Sequence, residues 1–321
     1  MRLLIVRLSA LGDVVHTLPV AENAAAAGCE VAWLVERAYV PLLEGNPALR
    51  AIFAAETRRW RRAPFGADTR EALGTLSASL DGFGADAVLD VQGLWKSALL
   101  AQLSPGRITG FAASARRESA SALLCHRRVV PPPLARHVVE KNLALLNSLG
   151  VPIVRRSPDA RYLLRRPDPD SEAFLETLPR PYALYHPGAG RPDKAWGEER
   201  FAALAEGLSK SRGLAAVLSW GPGDEVRVDR LRRRLPGARA APRLSIPGLA
   251  RLAAGASLLV AGDTGPLHLA DAVGTPVLAL FGPTDPARNG PFGQPDSVVR
   301  FGEGDVEAAL RLAVERTGGI P

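Results

Sequence analysis

Residues 257–272 read Ser-Leu-Leu-Val-Ala-Gly-Asp-Thr-Gly-Pro-Leu-His-Leu-Ala-Asp-Ala. The run Ser257–Ala261 is short and apolar, as expected of a strand buried on both faces. It stops at Gly262 and passes through Asp263, Thr264, Gly265 and Pro266 into helical spacing that lasts through Ala272. Asp263 or Thr264 can cap that helix, and Pro266 suits its first turn. The amides of Thr264 and Gly265 would then point at an anion such as a pyrophosphate, helped by the helix dipole. His268 falls about one turn in, beside the same N-terminus. These residues also fit a plain helix cap carrying a surface histidine.

The same grammar recurs on both sides. Tyr182–Tyr185 is a strand that opens onto His186-Pro-Gly188-Ala-Gly190-Arg-Pro-Asp-Lys194-Ala-Trp196, and Glu198–Ser209 then has helical spacing. Leu214–Ser219 ends in Trp220-Gly-Pro-Gly-Asp224-Glu225, and Pro276–Phe281 ends in Gly282-Pro283-Thr284-Asp285. Near the start, Leu3–Leu8 leads into Ser9-Ala10-Leu11-Gly12-Asp13 and an Ala-rich helical stretch to about Ala27. Glu30–Val35 is a further strand, and Ala87–Val91 ends in Gln92-Gly93 before a helix over about Lys96–Leu103. Strands alternating with helices predict α/β architecture with parallel sheets. Ligands of such sheets bind at the carboxyl ends of the strands, where these polar, Gly-containing loops lie. Two such halves, face to face, would form a cleft. The stretch Arg155–Pro181 is rich in Arg, Pro and Asp and contains an edge-like strand at Ala160–Leu164. It marks the boundary between domains 1–165 and 166–321, a division suited to a chain of 321 residues.

Composition agrees with two sizeable cores: 47% of the residues are hydrophobic and 23% charged. No apolar run approaches the roughly 18–20 residues of a membrane span. Arg7 interrupts the apolar N-terminus, which reaches Gly12-Asp13 with no small-residue cleavage pattern, so it reads as a buried first strand and not a signal peptide. The expected location is cytoplasmic. Cys29 and Cys125 lack metal-like spacing and read as plain thiols. A net charge of +7 favours anionic partners.

Within the loops, individual residues suggest chemistry. Asp13 stands at a first strand-to-helix turn, where a carboxylate can take a proton from an attacking hydroxyl; it also suits a simple first-turn acid. Gly188 and Gly190 let backbone approach a ligand, and Lys194 can present a point charge to phosphate. Neither a Walker A spacing nor a full GxGxxG is present. Glu225 can accept from ribose hydroxyls or serve as a helix first-turn acid. Asp168-Pro169-Asp170 matches an Asp-x-Asp metal pattern but lies between prolines in the linker, away from any strand end, so no metal site is expected. Arg58-Arg59-Trp60-Arg61-Arg62, Arg116-Arg117 and His126-Arg127-Arg128 make the N-terminal half basic. Arginine grips carboxylate and phosphate bidentately, and Trp60 could stack on a sugar or sit at a membrane interface. No nucleic-acid-binding motif accompanies these runs.

Taken in order, these pieces resemble the bacterial lipopolysaccharide heptosyltransferases, the ADP-heptose-using glycosyltransferases of family 9. The matching segments are Ser9–Asp13, Asp90-Val-Gln92-Gly93-Leu94, Lys194-Ala-Trp196, Asp263-Thr264-Gly265 with His268, and Phe281–Asp285. The resemblance spans nearly the whole chain. It implies a GT-B fold, two Rossmann-like domains facing across a cleft, with the last helix, Val306–Val314, packing back on the first. It implies an inverting transfer of heptose from ADP-L-glycero-D-manno-heptose to Kdo of lipid A, with no metal or other cofactor. Asp13 would be the catalytic base. Gly190, Lys194, Glu225, Asp263, Thr264, Gly265 and His268 would hold the donor, with Lys194 also aiding catalysis. Arg59, Arg62, Arg117 and Gln92 would meet the acidic lipid-linked acceptor. Partners would be the donor, the acceptor and, transiently, the inner membrane; a monomer is expected. The Arg58-Arg59-Trp60-Arg61 segment resembles type I members, whereas the Pro- and Gly-rich loop after His186 is closer to type II. Other readings of the same residues are another GT-B nucleotide-sugar transferase, an epimerase of that fold, and a non-catalytic polyanion or sugar-nucleotide binder.

Overall fold

Short apolar runs make the strands, and in the computed structural model, which describes residues 1–318, they assemble into two six-stranded sheets. The first holds β1 (Arg2–Val6), β2 (Glu30–Glu36), β3 (Ala51–Ala55), β4 (Ala87–Asp90), β5 (Arg107–Phe111) and β6 (Arg127–Val129). The second holds β7 (Tyr182–His186), β8 (Ala215–Leu218), β9 (Arg239–Ala240), β10 (Leu258–Gly262), β11 (Val277–Phe281) and β12 (Val298–Arg300). The strand orders are β3-β2-β1-β4-β5-β6 and, read from the other edge, β9-β8-β7-β10-β11-β12. Both sheets therefore have the same winding, and their pairings are parallel. In each, the order reverses between the two central strands, β1 and β4 or β7 and β10. That reversal opens the crevice in which an open α/β sheet binds its ligand.

The chain divides into two compact units, Met1–Ser157 and a second from Pro158 onward. In the first, Leu4, Val6, Leu34 and Val88 are fully buried with Leu80 of the helix Ala67–Phe83. In the second, Tyr185, Leu218, Val260 and Leu278 pack with Phe201 and Leu208 of the helix Glu198–Arg212. Each such aliphatic side chain contributes about 1.5–3 kcal/mol on full burial.

Three expectations are corrected. The residues read as an edge strand, Ala160–Leu164, form a 3₁₀ turn over Arg161–Arg165. The Asp159 carboxylate accepts the Arg161 amide at 2.9 Å, a local turn bond that competes with strand pairing. The helical stretch after Asp13 is two helices, Leu11–Val15 and Leu18–Ala26. Pro19 has no amide to donate back to Val15, so the first helix ends and a second starts. The last helix, Asp305–Arg316, buries Ala309 and Ala313 in the core of the C-terminal unit, against the 198–212 helix, where packing on the first half had been expected.

Candidate active site

In the N-terminal unit, β1 and β4 deliver the first group of residues. Beyond β1 the chain turns at Ser9-Ala10 into the helix Leu11–Val15, and the Asp13 carboxylate accepts the Ala10 amide through Oδ2 at 3.2 Å. Its Oδ1 lies 2.6 Å from Nη2 of Arg7, whose Nη1 donates to the Val91 carbonyl at 2.8 Å. Arg7 is buried, while the Asp13 side chain stays 42% exposed, so the carboxylate is held from behind and open in front. Gln92 reaches across from the end of β4, and its Oε1 accepts the Leu8 amide at 2.7 Å. Lys96, in the first turn of the helix Trp95–Ala101, donates to Ser9 Oγ at 3.3 Å.

The loop carrying Gln92 has its own anchor. Asp90 Oδ1 accepts the amides of Gln92 and Gly93, both at 3.2 Å, and Oδ2 pairs with Arg116 Nη1 at 2.9 Å. Both side chains of that pair are fully buried. Arg116 also donates to the Phe111 carbonyl, to Ser121 Oγ at 3.0 Å and to Cys125 Sγ at 2.7 Å. Removing one partner of such a pair costs about 3–5 kcal/mol, because the other is left as an uncompensated buried charge. Arg116 is thus part of the scaffold, and its neighbour Arg117 lies exposed. Of the other arginines named above, Arg59 is exposed and pairs with Glu56 and Asp68, each at 3.3 Å, and Arg62 is exposed.

In the C-terminal unit, β7 and β10 deliver the second group. Lys194, closing a 3₁₀ turn after β7, places Nζ 2.7 Å from Asp263 Oδ2. His268 Nε2 lies 3.5 Å from Oδ1 of the same carboxylate. Burial pushes the Asp263 carboxyl up, but the hydrogen bonds from His268 and Lys194 outweigh it and hold it down at about 2. Asp263 is therefore a fixed anion clamped between two bases, and His268 is buried, not on the surface. Thr264 takes the extended N-cap conformation ahead of the helix Gly265–Val273, yet its Oγ1 donates to the Gly262 carbonyl at 3.2 Å. The helix consequently has no side-chain cap over its first amides, which remain available to an anion.

Beside this group, His186 Nδ1 is 3.1 Å from Ser219 Oγ and its Nε2 is 3.9 Å from Asp224. Burial pulls the imidazole down to about 4, partly offset by the Asp224 charge, so it is neutral at pH 7 and the contact is not an ion pair. Gly188 explains the composition of this loop: a Cβ there would stand 2.2 Å from Asp224 Oδ2 and 2.8 Å from His186 Nε2. Gly190, expected among the donor-holding residues, is exposed with open space around it. Glu225 is exposed and accepts the Gly223 amide at 2.9 Å. Asp168 caps the helix Pro169–Glu176 by accepting the Ser171 amide at 3.1 Å, a structural use for the Asp-x-Asp pattern. No three His, Cys, Asp or Glu side chains gather as metal ligands among the described residues.

Two groups thus form, one per unit: Asp13 with Gln92, Arg7 and Lys96, and Lys194 with Asp263, Thr264, Gly265 and His268. Sequence reasoning missed Arg7 and Lys96. Arg7 carried a usable signal, since a charged residue directly after a buried strand requires a partner.

Comparison with known proteins adds an independent line. The model of glycosyltransferase family 9 (heptosyltransferase) matches residues 74–311. Lipopolysaccharide heptosyltransferase 1 of Escherichia coli K12 is 34% identical over 310 residues, covering 94% of this chain and 93% of that protein. The solved structure of E. coli heptosyltransferase WaaC with ADP aligns at a TM-score of 0.83 and 32% identity, covering 98% of this chain and 100% of that one. The structure of WaaC with ADP-2-deoxy-2-fluoro heptose aligns at a TM-score of 0.79, again at 32% identity, over 98% of each chain.

Proposed function

Because this chain belongs to glycosyltransferase family 9, we propose that it transfers heptose from ADP-L-glycero-D-manno-heptose to Kdo of lipid A, the type I reaction. It is a glycosyltransferase of the GT-B fold. The observation that carries the donor reading is the Lys194–Asp263–His268 cluster beside an uncapped helix N-terminus. Lys194 and the amides of Thr264 and Gly265 receive the diphosphate, and Asp263 orients Lys194 and meets the sugar. Glu225 takes the ribose hydroxyls. On the acceptor side, Asp13 removes the proton from the attacking hydroxyl, while Arg59, Arg62, Arg117 and Gln92 bind the acidic acceptor.

In this reading the acceptor oxygen forms its bond to the anomeric carbon from the face opposite the diphosphate. The bond from that carbon to the phosphate oxygen breaks, and ADP departs with the electron pair. Lys194 and the helix amides stabilise the charge growing on ADP, and the reaction proceeds without a metal. The donor bound in the WaaC structure, an ADP-heptose analogue, supports this choice of nucleotide sugar. No helix among the described residues is long and apolar enough to cross a membrane. The exposed Arg61, Arg62 and Phe65, the last 88% exposed, suit a transient contact of a monomer with an anionic inner-membrane surface.

Mass spectrometry of Kdo-lipid A after incubation with the protein, ADP-heptose and EDTA tests the proposal. One added heptose with matching ADP release is expected. Transfer only to an acceptor already carrying a heptose moves the assignment to type II. No transfer to either acceptor, with or without magnesium, overturns the donor–acceptor pair.

A further inference from the structure

We propose that Asp305, at the start of the last helix, is a positioning residue for donor binding: through the Trp196 indole it sets where Lys194 presents its ammonium. The inference rests on the donor reading above. Lys194 lies between β7 and the helix Glu198–Arg212, in a 3₁₀ turn closed by local bonds. The Lys194 amide donates to the Arg191 carbonyl and the Ala195 amide to the Pro192 carbonyl, both at 3.1 Å. Such bonds fix the shape of the turn and not its place over the sheet. The turn rests on the ends of β10 and β11, where a Cβ at Gly262 would stand 3.5 Å from the Lys194 carbonyl and one at Gly282 3.3 Å from the Asp193 carbonyl. Its fixed point is Trp196, two residues beyond Lys194. That indole is 3% exposed and packs edge-on against Phe201, with ring centroids 5.2 Å apart.

A buried indole N–H needs an acceptor. Trp196 Nε1 donates to Asp305 Oδ2 at 2.9 Å, across 109 positions of chain. Asp305 Oδ1 lies 3.6 Å from Nε of Arg200, whose Nη1 donates back to the Trp196 carbonyl at 3.3 Å. The carboxylate thus holds the Trp196 side chain directly and its backbone through Arg200. An acid in the first turn of a surface helix complements the dipole while facing water. Asp305 is turned inward instead, its side chain 4% exposed, on a helix that Ala309 and Ala313 bury in the core. The anchor is therefore a packed element, and the tether is a charge-assisted hydrogen bond. Lysine carries its charge on a flexible stem, so the place of its ammonium depends on where its backbone is held. Lys194 Nζ sits 2.7 Å from Asp263, with its side chain 20% exposed. A displacement of about 1 Å at such a contact is enough to cost binding and rate.

Calorimetric titration of the full-length protein with ADP, together with steady-state kinetics, tests the inference. Asp305→Ala should raise the ADP Kd and the ADP-heptose KM about tenfold and leave the acceptor KM within about twofold. Trp196→Phe keeps a ring and loses the N–H; it should do the same, and it carries the test if Asp305→Ala does not fold. Asp305→Asn still offers an acceptor and should recover most of the affinity. In a Lys194→Ala background either variant should add less than about twofold to the ADP Kd, because the residue through which it acts is gone. Ala313→Gly, which loosens the same helix away from the loop, should leave the ADP Kd within about twofold. Losses that multiply in the Lys194→Ala background overturn the inference. So does an Asp305→Asn loss as large as that of Asp305→Ala, or a matching Ala313→Gly loss at an equal fall in unfolding midpoint. If Lys194→Ala itself leaves the ADP Kd unchanged, the donor reading fails; ADP binding that depends on Lys194 and ignores Asp305 sinks the inference alone.

Discussion

Asp263 is a carboxyl on which burial and hydrogen bonding compete, and hydrogen bonding wins. With its folded value near 2 and an ordinary value of 3.8, the ionised form stabilises the fold at neutral pH. That contribution is fully present above about pH 4 and is lost as pH falls towards 2; it amounts to about 2 kcal/mol. Asp263→Asn should therefore flatten the acid limb of stability between pH 4 and 2, read by urea unfolding across that range. Asp13 and Lys194 divide differently between binding and chemistry. In the proposed mechanism Asp13→Ala should lower transfer by about 10²–10⁴-fold and leave ADP binding nearly intact, since it removes the proton acceptor, and with it the partner of Arg7, from the unit that does not carry the donor cluster. Equal loss of both in calorimetry and ADP-release assays would count against a base role. Lys194→Ala should weaken both, because it strips the charge proposed to meet the diphosphate and leaves Asp263 with His268 alone. At this scale the sequence placed residues correctly in the turns that follow strands, as with Asp13, Gln92, Lys194 and Asp263, but passed over Arg7, which directly follows β1. It was silent on Lys96, whose contact with Ser9 spans 87 positions, and it blurred Arg116 with Arg117 because adjacency in the chain says nothing of which side chain is buried.

Loops at strand ends are held by interactions that leave little room for substitution. Gly188→Ala would push a methyl into Asp224 and His186, at a cost of about 1–3 kcal/mol for overpacking. The unfolding midpoint should fall by several degrees, and donor affinity should drop as the 221–225 loop shifts; Gly190→Ala should do neither. His186 adds a pH dependence of its own. It is held neutral in the fold, so the unfolded chain binds the extra proton between about pH 6.5 and 4, and stability declines as pH falls through that window. His186→Gln should remove that slope in thermal melts, whatever it does to the midpoint at pH 7. The elements themselves were legible where apolar runs were long, as in β1, β2, β7, β10 and β11. The strands β3, β5, β6, β9 and β12 escaped: β9 has two residues, β6 and β12 have three, and β5 includes Gly110. Gly110 is there because a Cβ would collide with the Arg116 guanidinium, a tertiary demand with no local pattern.

Across the molecule, the two sheets share one winding, and the expectation of two Rossmann-like halves followed from repeated strand–loop–helix units. Each half keeps its own ligand edge. Saturating ADP should therefore slow amide hydrogen exchange around 186–196, 219–225 and 262–268, with about 2.7 kcal/mol of added stability at a hundred times Kd. Protection confined to the 9–16 and 92–97 loops would contradict the assignment of donor and acceptor to the two halves. The position of the domain boundary was harder to read, because a Pro-, Arg- and Asp-rich stretch can be a linker or the rim of a unit; by compactness the division follows Ser157. The shared winding also orders events on the ribosome. β6 ends at Val129, so the first sheet is complete before the first strand of the second has been made. In the second half, β7 pairs with β10 across an intervening stretch that must be translated first. A nascent chain stalled before residue 258 would thus carry a finished first sheet and a C-terminal segment in which β7, paired with β8 on one side, leaves its other edge unpaired, exposed to aggregation and to chaperones until β10 emerges.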